Sequence, residues 1–194
     1  MRADWSEPSS LASGTVLMGS SMLSSMDFPI SARSDEVYKA IKTELIVQFA
    51  LGADSLHGPD HWQRVEECAV QLAQAGGGDA VVAHWFGLFH DAARHSEGTD
   101  TWHGHRAAVL VDRYRTRLGL TAAQLDLLKW ACEDHASGQT TDEPTVGACW
   151  DADRLDLPRV GIMPQAKYLS TSVGKALAAR LSRASRGGVP DDSE

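Results

Sequence analysis

A chain of 194 residues with 43% hydrophobic content has the length of one domain and enough apolar residues to bury a core, which excludes a fibre or a sparsely apolar disordered chain. No run approaches the ~18 to 20 uninterrupted apolar residues of a membrane span. The formal net charge of -8 argues against sequence-independent binding to nucleic acid, which needs a basic face against phosphates. Neither a membrane nor a nucleic-acid partner is therefore expected, and nothing in the sequence speaks to oligomeric state.

Residues 1–33 read as a disordered leader. They are rich in Ser and Met, Asp4 and Glu7 stand where a secretory signal would be basic, and Leu11 to Met18 is a weak apolar stretch. Met18, Met22 and Met26 are alternative starts. The folded domain is expected over 34–183, followed by a disordered tail over 184–194.

Strand signals are scarce and the domain reads with helical period, so an all-α fold is predicted. Ser34, followed by Asp35 and Glu36, is a capped start for a helix with Val37, Ile41, Leu45 and Phe49 on one face. Pro59 suits the first turn of the next helix, whose stripe is Trp62, Val65, Ala69 and Leu72 and whose end is Gly76-Gly77-Gly78. Asp79 to Ala93 is apolar nearly all round, as befits a central helix, and delivers the doublet His90-Asp91 at its C-terminal end.

A polar loop from Ser96 to Thr101 precedes a helix from about Trp102 to Leu118, stopped by Gly119. Thr121 and Gln124 have capping-box spacing for the helix that leads to His135. After the turn-rich stretch Ser137 to Pro144, a helical segment from Thr145 carries Trp150 and the acidic group Asp151-Ala152-Asp153-Arg154-Leu155-Asp156, until Pro158 interrupts it. A last helix is expected over about Ser172 to Ser182. Cys68, Cys132 and Cys149 lack CxxC-type spacing and sit among apolar residues, which fits reduced, buried thiols in a cytoplasmic protein.

The chemistry-bearing residues fall between His57 and Asp156. Several lone-pair donors from separate helices can converge on a divalent ion, and a mixed imidazole and carboxylate set suits Mn, Fe, Co, Ni or Zn. His61 lies in a firmly helical pattern and is the stronger candidate ligand beside His57, which precedes Gly-Pro in a turn. Each of these histidines, taken singly, is as readily a capping or packing residue. His90 and Asp91 diverge by about 100° on a regular helix, so they converge only if the helix ends there.

His61 within His61-x-x-Arg64-Val65, the doublet His90-Asp91, and Asp-Ala-Asp-Arg-Leu-Asp resemble the HD-domain superfamily of metal-dependent phosphohydrolases over roughly His57 to Gly161. The resemblance implies a single-domain, HD-type helical bundle in which His61, His90, Asp91 and Asp153 bind one divalent metal. Asp153 is favoured over Asp151 because relatives place this ligand directly before Lys or Arg, here Arg154. Some branches add two histidines and a second metal that shares the doublet's aspartate. Here His103, in a His-Gly-x-x-Ala-Ala segment, and His135 fill those places, with His105 exposed or supporting. For His135, direct contact with phosphate is the other role.

The resemblance further implies one or two divalent metals and a small phosphorylated substrate, a nucleotide or another metabolite. On that basis Asp91 helps present the attacking water, His57 protonates the leaving alkoxide, and Arg94, Arg106 and Arg154 hold phosphate oxygens; salt bridges to nearby aspartates are the alternative role of the arginines. The chain lacks the Gly-Tyr-Pro signature of the cyclic-dinucleotide branch. A diiron oxygenase of the same superfamily and a non-catalytic metal-binding regulatory module remain as alternative functions.

Overall fold

In the computed structural model, which describes residues 32–186, the punctuation of the sequence becomes the ends of helices. The elements are α1 (Ala32–Gln48), α2 (Pro59–Gly76), α3 (Ala80–Phe89), α4 (His103–Tyr114), α5 (Ala122–Asp134), α6 (Pro144–Leu155) and α7 (Ser172–Arg186). Short 3₁₀ turns follow at His135–Ser137, Leu157–Val160 and Ala166–Tyr168. Every regular element among the described residues is helical, as predicted, and none is long and apolar enough to cross a membrane. The expected leader lies outside the described residues except for 32 and 33, which open α1; the expected tail lies outside them except for 184–186, which close α7.

Pro59 sits in the first turn of α2, where its missing N–H costs nothing, and Gly77 caps the other end in the left-handed conformation at φ 75°. Asp79 caps α3 by accepting from the backbone N–H groups of Val81 and Val82, while its other oxygen accepts from Gln124 Nε2 at 2.8 Å. Thr121 and Gln124 form the predicted capping box at the start of α5. The Asp79 backbone N–H also donates to Thr145 Oγ1 at 3.0 Å, so the starts of α3, α5 and α6 are tied together.

The apolar faces meet in one core that includes Ile41 and Leu45 from α1, Trp62, Val65 and Leu72 from α2, Phe86 and Phe89 from α3, Leu128 from α5 and Trp150 from α6. Two close approaches within it position the functional end of the bundle. A Cβ on Gly87 would lie 2.4 Å from Glu66 Cβ, so α2 and α3 touch at a point where only glycine fits. A Cβ on Gly104 would lie 2.4 Å from the carbonyl oxygen of Glu133, so the start of α4 rests against the end of α5.

Helix α7 runs to Arg186, past the expected end near Ser182, and three other boundaries differ from the expectation. Helix α1 begins at Ala32, which leaves Ser34 inside the helix rather than capping it. Helix α4 ends at Tyr114; beyond it the chain tightens into turns in which the N–H groups of Arg115 and Arg117 bond the carbonyls three residues back, while Arg117 pairs with both oxygens of Glu44 on α1. Helix α3 ends at Phe89 instead of running to Ala93, because from Ala92 onward the backbone bonds are also of the three-residue kind.

Candidate metal centre

The doublet stands where α3 ends. His90 still makes its helical hydrogen bond to Phe86, and in the turn that follows both side chains reach one cluster, with His90 Nε2 4.0 Å from Asp91 Oδ2. His90 and Asp91 are 0% and 2% exposed. His61 comes from the first turn of α2, His103 opens α4, His135 opens the 3₁₀ turn after α5, and Asp153 comes from the last turns of α6. The structure brings all six together at one end of the bundle.

The imidazoles form two facing pairs. His61 Nε2 and His90 Nε2 are 3.1 Å apart, and His103 Nε2 and His135 Nε2 are 2.9 Å apart. Their other nitrogens are committed elsewhere: Nδ1–H of His90 donates to the Gly87 carbonyl at 3.0 Å, that of His135 to the Cys132 carbonyl at 2.7 Å, and that of His103 to the Asp100 carbonyl. His61 Nδ1–H donates to Asp156 Oδ2 at 2.7 Å. A carbonyl can only accept, so these bonds select the tautomer with its proton on Nδ1 and aim the Nε2 lone pairs inward.

Two lone pairs pointed at each other from 3 Å repel unless a proton or a cation lies between them. The titration tendencies follow this geometry. Burial acts to lower every imidazole, and it drives His90 to about 3 and His103 to about 4. In His61 the carboxylates of Asp153 and Asp156 outweigh burial and raise the value, and in His135 Asp91 does the same. Each pair therefore sets an imidazole made more basic than usual by its carboxylates against one that burial makes less basic.

Asp91 stands between the pairs. Its Oδ2 accepts from His57 Nδ1 at 2.8 Å and lies 3.7 Å from His61 Nε2, while its Oδ1 lies 3.4 Å from His103 Nε2 and 3.5 Å from His135 Nε2. Burial works against its charge, but His135, His57 and His90 hold the carboxyl well below the usual range. Oδ1 is nevertheless a buried oxygen without a hydrogen bond, an arrangement that native structures rarely leave unexplained. Asp153 Oδ1 lies 3.3 Å from His61 Nε2 and 3.9 Å from His90 Nε2.

The inward Nε2 donors thus fall into two sets, His61, His90 and Asp153, which Asp91 Oδ2 approaches, and His103, His135 and Asp91 Oδ1; His57, His61 and Asp91 form a third grouping that overlaps both. Imidazole nitrogens with carboxylate oxygens, each imidazole held from behind by an acceptor, have the donor chemistry of a transition-metal site. The buried His/Asp cluster could hold a metal ion.

His57 lies in the turn before α2, where the Trp62 indole N–H holds its carbonyl at 2.7 Å. Arg94 is at the cluster, with Nη1 3.6 Å from Asp91 Oδ1. Arg106 lies outside the donor sets, bonded through Nε to the Ala93 carbonyl and through Nη2 to Asp100. Arg154 is buried with its guanidinium on the carbonyls of Tyr168 and His135. His105 faces solvent and pairs with Glu133. Asp151 turns away from the cluster to accept from Ser170 and Thr171 before α7.

The residue that sequence reasoning missed is Asp156. Behind His61, it is clamped by Arg64 through Nε to Oδ1 at 2.9 Å and Nη2 to Oδ2 at 3.0 Å. Its signals were its place at the end of the acidic segment and the spacing of Arg64, one turn after His61. Asp156→Ala should weaken metal binding by about 10- to 100-fold, the usual cost of losing a ligand's supporting acceptor. Chelator competition on the purified variant measures this, and an unchanged dissociation constant would refute the role.

No family model matches the chain, and no curated protein matches it. Among solved structures, it is similar to the crystal structure of a predicted HD superfamily hydrolase from an uncultured Thermotogales bacterium, at 24% sequence identity and a TM-score of 0.61. The match covers 79% of this chain and 87% of that one. The chain has an HD-type, all-α fold.

Proposed function

We propose that the chain is a metal-dependent phosphohydrolase that cleaves a phosphate ester of a nucleotide or another small phosphorylated metabolite. The observation that carries this reading is the pairing of inward Nε2 lone pairs on either side of Asp91, whose Oδ1 is buried without a hydrogen bond. Divalent ions held there would supply a Lewis acid toward a phosphoryl oxygen and would acidify water near neutral pH. His61, His90, Asp91 and Asp153 would hold one ion, and His103, His135 and Asp91 the other.

The remaining residues bind and orient. Arg94 is the guanidinium nearest the donors, and its planar fork suits two oxygens of a phosphate. His57 binds Asp91 through Nδ1, leaving Nε2 as the ring nitrogen that passes a proton to the leaving alkoxide. Arg106 and Arg154 act at one remove. Arg106 steadies Asp100, whose carbonyl holds His103, and Arg154 steadies the carbonyl of His135. The free thiols of Cys68, Cys132 and Cys149 suit a reducing, cytoplasmic setting.

The test is a screen of phosphomonoesters, phosphodiesters and nucleotides with Mn, Fe, Co, Ni or Zn supplied singly, with elemental analysis of the same preparation. Metal-dependent phosphate release that chelation abolishes is expected. Oxygen uptake by an iron-loaded protein without phosphate release would overturn the hydrolase in favour of an oxygenase, and metal retention without any turnover would favour a regulatory module.

A further inference from the structure

The two donor sets are not electrostatically equal. The first contains Asp153 and the Oδ2 of Asp91, and the arginines behind it, Arg64 and Arg159, are engaged by Asp156. The second has only the Oδ1 side of the shared Asp91, and Arg94 faces it directly. Arg94 Nε donates to the Ser96 carbonyl at 2.9 Å and Nη2 to the Gly98 carbonyl at 2.8 Å, which aims Nη1 at the cluster. That nitrogen is 3.4 Å from His103 Nε2 and 3.6 Å from Asp91 Oδ1, two of the three donor atoms of the second set.

A guanidinium stays protonated at any pH a folded protein meets. Its N–H therefore engages the His103 lone pair that a second cation requires, and its charge, 3.6 Å from Asp91 Oδ1, opposes that cation in a buried, weakly screened place. The arginine charges that reach the first set, Arg159 at His61 and Arg154 at Asp153, come from guanidiniums held by Asp156 and by backbone carbonyls.

We infer that Arg94 sets how many metal ions the centre holds: one ion binds tightly at His61, His90, Asp91 and Asp153, and the second set fills only when an anion draws the Arg94 guanidinium away. A phosphate group is such an anion, because it offers the fork two charged oxygens in place of the lone pair of His103 and the nearby charge of Asp91. Substrate and second ion then bind cooperatively, by the reciprocity that links any two coupled sites. The inference rests on the cluster's being a metal centre, and hydrolysis plays no part in its test.

Calorimetric titration of the chelated full chain with Mn²⁺ separates the possibilities. Wild type should bind one ion tightly and a second weakly, with inorganic phosphate tightening the second. In Arg94→Gln, and in Arg94→Met as a second neutral variant, the second ion should bind at least about tenfold more tightly without phosphate, since a full opposing charge has gone. Phosphate should then add little. Arg94→Lys, which keeps the charge, should resemble wild type, and adding His103→Ala to Arg94→Gln should remove the gained ion. Two equally tight ions in wild type, or an unchanged second ion in both folded neutral variants, would overturn the role of Arg94. Absence of any tight ion in folded wild type would overturn the metal centre itself.

Discussion

Asp91→Ala is expected to strip metal from the centre and to lower phosphate-ester hydrolysis by about 10³-fold or more, because metal assistance supplies several kcal/mol of transition-state stabilisation at 1.36 kcal/mol per tenfold. Asp91 is the carboxylate that faces both imidazole pairs, through Oδ2 to His61 and through Oδ1 to His103 and His135. Its removal therefore weakens both donor sets at once, whereas losing Asp153 weakens only one. The fold should persist, since the Asp91 side chain has one hydrogen bond, to His57, and no backbone amide depends on it. Elemental analysis, steady-state kinetics and far-ultraviolet circular dichroism on one preparation suffice. A folded variant with full metal content and rate would sink the assignment.

Phe86→Ala should carry the largest stability cost near the site, about 3 to 5 kcal/mol for a buried phenylalanine. For a domain of this size that corresponds to a melting point roughly 6 to 20 °C lower. The ring is fully buried on α3, lies nearly parallel to His90 at a centroid distance of 5.0 Å, and presents an edge contact to His135 at 6.1 Å. One side chain thus packs against a member of each imidazole pair, and truncation leaves a cavity that frees both rings. Metal affinity should fall together with stability, and Phe86→Leu should recover much of each. A melting point within a few degrees of wild type would show that the site collapses without cost.

Where local chemistry decides, the helices follow the sequence closely. Pro59 and Gly77 bound α2, Asp79 caps α3, and Thr121 with Gln124 caps α5, since each acts on backbone groups a few residues away. The early ends of α3 and α4 were not legible. Residues 90–93 and 115–118 have helical composition, and in the second stretch the competing contact is Glu44, on a helix more than seventy residues earlier. Likewise Arg94, Arg106 and Arg154 are equivalent as letters. Only the folded chain sends one guanidinium to the donors, one to Asp100 and one to two backbone carbonyls.

By itself the sequence determined the all-helical class and most helix limits, because helical period and caps are written within a few residues, and its resemblance to the HD-domain superfamily supplied the candidate ligands. The tertiary structure alone decided how those ligands pair, that Asp91 faces both pairs, that Asp156 backs His61 and that Arg94 confronts His103. These relations depend on the contact of α2 with α3 at Gly87 and of α4 with α5 at Gly104. Packing between distant segments sets such distances to tenths of an ångström, and no local pattern encodes them.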